Sequence, residues 1–476
     1  MSRRLHRRQN GFTLIELTVS LVAGLIVALG IMALSREATR TFNEEVRGAA
    51  AEATMRTAID RLRADLQRAG YMSTANIMGD PMIAKVPGTT NIANTKPSMG
   101  GILHLQSINL SSGGSLATNG LPLSGVQTPA LAPDSFDLGG NMTTAEQFEV
   151  QMIVPGGSGC TQVLLSSASA AMYRIAATGL GSAAATQELR NAFQPVPAGM
   201  TTQFIVRLVD TTGHTQYLAT CDGCGGQPGA AGFTGTQPYA CIDTADTPIQ
   251  YASQTTGASV GSQAIGGATG YCVGCILNPV QLVRWEITSA TKEATNTPQY
   301  AVALDNTPTS YVAGVGGAID VNKYDLMRTY LDATDTPVLA TSEVVAEYAV
   351  DLKLAFSVDT TTLSDQFPSV TTLAFSDTTN GTKWGQDVTK SNPFVANVGP
   401  QRIRSARVRL VTRAAQPDRT VSVAVPSPAG LATDFMYRYC VNSSPSCATS
   451  DGTLRWARAR TVTAEVSLPN TSQDFF

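Results

Sequence analysis

From Phe12 to Leu34 the chain runs 23 residues with one charge, Glu16. About 20 consecutive apolar residues suffice to cross the hydrocarbon core of a bilayer as a helix. The residues before the run include Arg3, Arg4, His6, Arg7 and Arg8 and no acid, a flank that predicts a cytoplasmic N-terminus and an exported remainder. A cleaved secretory signal is the competing reading, because Ala33-Leu34-Ser35 offers a small-x-small site. The apolar core of such a signal spans roughly 7–15 residues, and here the helical pattern passes through Ser35 without a break. The segment therefore reads as a membrane helix that continues outward.

Past Ser35, Ala51, Met55, Ile59, Leu62, Leu66 and Ala69 recur at three- and four-residue steps, an amphipathic stripe. Glu52–Arg56, Arg56–Asp60 and Arg61–Asp65 are spaced to pair across one turn on the other faces. No proline falls between Phe12 and Tyr71, and Gly70 is a natural C-terminal stop. A continuous helix over this stretch is on the order of 85 Å long, at 1.5 Å per residue. One end suits lipid and the other suits packing on a globular domain.

A carboxylate inside an apolar helix costs roughly 2.5–3.5 kcal/mol near the bilayer centre on insertion scales, so Glu16 requires a partner. Cutting between Gly11 and Phe12 would create an α-amino cation four residues before Glu16, able to pair with that carboxylate in the same or a neighbouring subunit. A Glu16 that only snorkels to the interface is the plainer reading. Gly11-Phe12-Thr13-Leu14-Ile15-Glu16 resembles the class III signal of type IV pilins and type II secretion pseudopilins. The resemblance implies that a prepilin peptidase cuts after Gly11 and methylates Phe12, and that Glu16 aligns incoming subunits on a neighbour's terminal amine. Four arginines would leave with the leader, making the mature chain more acidic than the −3 of the precursor.

A looser resemblance lies in the C-terminal part. Glu347–Asp359, Arg402–Arg413 and Leu454–Leu468 are similar to the spaced strands of PilW-type minor pilins, low-abundance subunits associated with pilus assembly. The implied partners are the major pilin, other minor pilins, the prepilin peptidase and a large tip adhesin. The inner membrane would hold the precursor, and the pilus or cell surface the assembled subunit. The bulk of the domain suggests a place in the initiation or tip complex. A type II secretion minor pseudopilin and a pilus-associated surface adhesin are the alternatives. The middle of the chain resembles no family.

After Gly70 the helical period vanishes. Candidate strands are 102–108, 148–154, 162–165, 203–209, 280–288, 300–304, 344–357, 402–412, 420–425 and 460–468, separated by Gly, Pro, Ser, Thr and Asn clusters. The expected fold class is α+β: a long N-terminal helix packed on a large antiparallel β-rich domain. The expected divisions are a leader (1–11), the pilin helix (12–70), a β-rich region with long loops and a cysteine-rich insertion (71–345) and a C-terminal sheet (346–476). Stretches 76–101, 111–145 and 225–270 read as loops. Arg402 and Arg404 lie on one strand phase and Arg407 and Arg409 on the other, which a bulge near Ser405–Ala406 would reconcile. Pairing with sheet carboxylates accounts for them, and a pI near 5.7 argues against a nucleic-acid partner.

Cys160, Cys221, Cys224, Cys241, Cys272, Cys275, Cys440 and Cys447 all lie past residue 159, an even count that suits disulfides in an exported domain. Cys440–Cys447, across a Ser/Pro/Asn turn, is the best local pair. Cross-bridging between Cys221-x-x-Cys224 and Cys272-x-x-Cys275 closes longer loops than a bridge within either motif, worth about 4 against about 2 kcal/mol on the loop-entropy account. The same two motifs are the rival zinc set, although their separation exceeds the usual roughly 15–20 residues, and redox-active CxxC chemistry is a third reading. Asp320, Asn322 and Asp325, or Asp332 and Asp335, have oxygen ligands for Ca²⁺ but not the EF-hand spacing, and turn capping explains them more simply. Only His104 and His214 remain beyond the leader, and no GxSxG, HExxH or phosphate loop is present. The sequence thus points to a structural protein with no catalytic residues, no cofactor and no resident metal.

Overall fold

The computed structural model describes residues 13–83, 95–111, 133–154, 159–197, 200, 202–211, 213–247, 249, 274–288, 324–361, 369–373, 375, 399–413, 436–440 and 454–471. In chain order the elements begin with helix α1 (Leu14–Arg68), a short helix α2 (Gly100–Leu103), and strands β1 (Ile108–Ser111), β2 (Ser135–Gly140), β3 (Phe148–Val154) and β4 (Cys160–Leu165). Helices α3 (Ala170–Ile175) and α4 (Ala183–Phe193) follow. Next come β5 (Ile205–Val209), β6 (Thr215–Thr220), β7 (Gly223–Cys224), β8 (Gln227–Pro228), β9 (Ala231–Thr234), β10 (Gln237–Asp243) and β11 (Ile276–Thr288). The C-terminal strands are β12 (Asp325–Leu331), β13 (Glu343–Ala346), β14 (Ala349–Asp359), β15 (Val370–Thr372), β16 (Ile403–Arg413), β17 (Met436–Cys440) and β18 (Leu454–Ser467). The expected combination of a long N-terminal helix with a large antiparallel domain is what the chain forms.

Two compact units divide the chain, Met1–Ala53 and Thr54–Phe476. In the first, the start of α1 is fixed by Thr13 and Glu16. The Thr13 amide donates to Glu16 Oε2 at 3.0 Å while the Glu16 amide donates to Thr13 Oγ1 at 3.3 Å, a reciprocal capping box. Leu14–Thr39 is long and apolar enough to cross a membrane. Three of its hydroxyls are satisfied within the helix: Thr18 donates to the Leu14 and Ile15 carbonyls, Ser20 to Leu17 and Thr39 to Ser35. Internal satisfaction of this kind is what a helix in hydrocarbon needs.

In the second unit the stripe is buried as its spacing predicts. Met55, Ala58, Ile59, Leu62, Leu66 and Ala69 enter a core with Phe136, Leu138 and Trp285 of one sheet and Leu352, Leu354, Phe356, Val408 and Leu410 of another. On β14 the buried apolar side chains alternate with Asp351, Lys353 and Ser357, the period of two expected of a strand. Gly70 ends the helix at φ +75°, and its amide donates to the Gly139 carbonyl at 2.8 Å. A Cβ there would lie 2.7 Å from the Asn470 carbonyl oxygen, so the stop needs glycine for both conformation and space.

The sheets share one long strand. The N-terminal part of β11 pairs with β3 and β5, closing an antiparallel ring β3-β4-β10-β6-β5-β11. Its later residues pair with β2 and β12, extending to β1 and β13. A separate five-stranded sheet runs β15-β14-β16-β18-β17. A second core, including Phe148, Val163, Leu189, Phe193 and Leu218, joins α3 and α4 to the ring.

Several expectations change. Residues 102–108 form the end of α2 and a bend, with β1 starting only at Ile108. The expected strand 344–357 is broken at Glu347–Tyr348, where Tyr348 adopts φ 55° and donates its amide to Asp325 Oδ1 at 3.0 Å. Two of the expected loops carry structure: 111–145 contains β2, and 225–270 contains β8, β9 and β10. The alanine-rich helices α3 and α4 begin at Ser169 and Ser182, whose hydroxyls accept from the amides three residues on. The bulge on β16 falls at Arg404, because Ile403 and Ser405 oppose consecutive residues Val358 and Ser357. The candidate strands 300–304 and 420–425 lie outside the described residues.

Candidate functional site

The site suggested by the sequence is the start of α1. Gly11 and Phe12 lie outside the described residues, while Glu16 sits in the first turn with its Oε2 also accepting from Thr13 Oγ1 at 3.0 Å. The carboxylate is exposed on the helix surface together with Leu14, Ile15, Leu17, Val19 and Leu21. Among the described residues of its own unit, this exposed apolar surface with its one carboxylate is not covered. Its chemistry is that of insertion in lipid or packing among other helices.

The other end of α1 holds a polar anchor that the sequence reading missed. Asp65 was expected on an outer face, paired with Arg61. Instead it is buried on the apolar side, where its Oδ2 accepts from Arg328 Nε at 2.6 Å and from Trp285 Nε1 at 3.2 Å. Arg328 also donates from Nη2 to Tyr330 Oη at 3.2 Å and lies 4.6 Å from that ring's centroid. Arg61 reaches Glu343 at 3.5 Å. The available signal was position: Asp65 directly precedes Leu66 on the stripe, and a burial-facing acid requires a buried cation.

Beside this anchor is a cleft of about 610 Å³, lined among others by Arg61, Glu188, Asn191, Pro195, Tyr330 and Glu343. Its size is within the range of small-ligand sites, about 300–1,000 Å³. Charges of both signs face it, so its chemistry is that of a mixed polar and apolar surface.

Two of the four arginines, Arg404 and Arg409, find the expected carboxylates, and Arg402 and Arg407 find backbone carbonyls. Arg404 pairs with Asp359 at 2.7 Å and Arg409 with Asp351 at 3.0 Å. Arg402 donates to the Thr361 carbonyl, and Arg407 to that of Leu373. Arg407 and Arg409 both lie over the Phe375 ring, at 5.3 and 5.1 Å. Burial pushes the Asp351 carboxyl up to about 6, against the opposing pull of Lys353 and Arg409. Asp359 is held down at about 2, chiefly by the Thr361 hydrogen bonds and by Arg404. Asp134 joins this sheet to the residues preceding β2: its amide donates to the Leu352 carbonyl, and its carboxylate accepts from the Leu354 amide and Lys353 Nζ.

Cys160 is bonded to Cys221 and Cys224 to Cys241. This differs from cross-bridging between the two CxxC motifs: the hairpin carrying Cys221 and Cys224 packs against β4 and β10, so its sulfurs meet those strands. Cys275 is also disulfide-bonded. Cys272, Cys447 and the Cys440 side chain lie outside what is described, and with them the Cys440–Cys447 pair. His104 caps the end of α2, and His214 sits in the β5–β6 turn. Asp332 caps a turn by accepting from Thr334 and Thr336, and Asp325 accepts from Tyr348. Asp320 and Asn322 lie outside the described residues.

The family model for the prokaryotic N-terminal methylation motif matches residues 6–32, a stretch that includes Gly11, Phe12 and Glu16. Neither a characterised protein nor a solved structure matches the chain. The motif and the apolar helix that it opens support a membrane-anchored precursor of the type IV pilin-like kind, processed by prepilin machinery.

Proposed function

We propose that the chain is a minor pilin of a type IV pilus. Prepilin peptidase cuts it after Gly11 and methylates Phe12. The N-terminus of the precursor is cytoplasmic, and the mature subunit joins the initiation or tip complex with the major pilin and other minor pilins. The observation that carries this reading is the methylation motif placed at the start of an exposed apolar helix, with Glu16 in its first turn. After the cut, the Phe12 α-amino group replaces the leader, and Glu16 pairs with the amine of a neighbouring subunit. Mass spectrometry of the N-terminal peptide from sheared filaments tests the reading. An N-methylated Phe12 in filaments supports it, and an intact leader or a start near Ser35 overturns it. Glu16→Ala is expected to be processed yet depleted from filaments. Wild-type incorporation would defeat the pairing.

The cleft of about 610 Å³ favours a second reading, a surface binding module on the same filament. Asn191→Trp, which fills the cleft, separates the two: unchanged piliation with lost attachment supports binding. Unchanged attachment removes that reading.

A further inference from the structure

Among the described residues no group of three or more His, Cys, Asp or Glu is arranged to hold a metal, and Cys160, Cys221, Cys224 and Cys241 are joined in two disulfides. The arrangement of those sulfurs nevertheless has a definite chemistry of its own. Cys221, Cys224 and Cys241 form one buried cluster with Tyr239, and Cys160 and Leu164 pack against it. Two independent pieces of backbone bring them there. Cys160 lies opposite Asp243, and Cys241 opposite Gln162, in the β4–β10 pairing, so both cysteines project to one face of adjacent strands. Cys221 and Cys224 sit on the tight β7–β8 hairpin, Cys221-Asp222-Gly223-Cys224-Gly225-Gly226, whose last two glycines take φ +57° and +81°.

Hydrogen bonds tie this scaffold together alongside the sulfurs. The Cys221 amide donates to the Cys241 carbonyl at 2.9 Å and the Cys241 amide to the Ala230 carbonyl at 2.8 Å. Tyr239 Oη donates to the Pro228 carbonyl at 3.1 Å. Breaking the two S–S bonds leaves four thiols in one packed cluster. A hairpin with C-x-x-C, completed by two further cysteines, is the ligand set of a tetrahedral zinc site, with Zn–S about 2.3 Å. Four soft thiolates select Zn²⁺ over oxygen-seeking cations. The assembled site carries two negative charges, and a cation is already beside it: a Cβ on Gly229 would lie 2.6 Å from Arg190 Nη2, so the guanidinium rests against the hairpin's exit.

We propose that Cys160, Cys221, Cys224 and Cys241 form a tetrathiolate Zn²⁺ site in the reduced chain, exchanged for two disulfides on oxidation. This set differs from the two CxxC motifs taken together, since it replaces Cys272 and Cys275 with Cys160 and Cys241. The balance is simple. Each disulfide takes two electrons and two protons from a dithiol, which becomes a disulfide. The four resulting thiols then release four protons as one Zn²⁺ binds.

Full-length protein in detergent, reduced with excess dithiol, freed of reductant and titrated anaerobically with Co²⁺, tests the site. Expected are one Co²⁺ per chain with thiolate charge-transfer and tetrahedral ligand-field bands, displaced by Zn²⁺. Cys272→Ser/Cys275→Ser should keep this signal, and Cys224→Ser/Cys241→Ser should lose it. A second measurement needs no variant: alkylation of the reduced wild-type chain, mapped by mass spectrometry, with and without Zn²⁺. Protection of the four named cysteines as a set, at least tenfold slower, supports the site. Absence of stoichiometric metal, or protection of any other set, overturns it.

Discussion

Asp65 Oδ2 accepts from Arg328 Nε at 2.6 Å with both side chains nearly inaccessible to solvent. Two ions in an apolar core need each other because each loses its hydration, and removing one partner strands the other. The relationship fixes α1 against β12 at one turn of the helix, between Leu62 and Leu66.

Asp65→Asn is expected to destabilise the second unit by about 3–5 kcal/mol, the cost of an uncompensated buried cation. Chemical denaturation followed by Trp fluorescence reads this directly, since Trp285 Nε1 donates to the same carboxylate. Asp65→Asn with Arg328→Met should recover much of the loss. A double variant as unstable as the single one would show that the ion pair is not the cause.

Stability should depend on pH with opposite signs at two aspartates of β14. The Asp351 pKa is raised from 3.8 to about 6, so its contribution is full below pH 4 and is lost as pH rises towards 6. The shift corresponds to about 3 kcal/mol. Asp359 is lowered to about 2, so its contribution is present above pH 4 and is lost as pH falls towards 2. Asp351→Asn should flatten the profile between pH 4 and 6, and Asp359→Asn the profile between pH 2 and 4. Comparing slopes from denaturant titrations at each pH separates these effects from any uniform loss.

Two glycines of similar backbone conformation should respond differently to a methyl group. At Gly70, φ is +75° and the added Cβ meets the Asn470 carbonyl oxygen at 2.7 Å. At Gly226, φ is +81° and nothing lies within 4 Å. Gly226→Ala should therefore cost only the conformational term, about 1 kcal/mol, and Gly70→Ala at least about 1 kcal/mol more. Thermal or denaturant midpoints of the two variants check the difference.

What the sequence made legible was periodic or motif-bound. The stripe from Met55 to Ala69 was readable because one face of the helix is buried and the other is not. α3 and α4 were missed because alanine, which carries little apolar contrast, opens both helices, leaving their serine caps as the main clue. The break at Tyr348 was hidden for the opposite reason: apolar residues continue on both sides of a non-glycine φ of 55° that Asp325 stabilises from another strand. Asp65 and the cysteine pairing depend on residues far away in sequence, Arg328 for one and β4 with β10 for the other. No local pattern encodes such partners.

Because β11 serves the ring with its first residues and the open sheet with its last, the two architectures have a common spine. Neither can fray independently beyond its edge strands: opening one interrupts the ladder on which the other is hung. The coupling between the ring and the sheet that extends from it thus runs through thirteen consecutive residues, Ile276–Thr288.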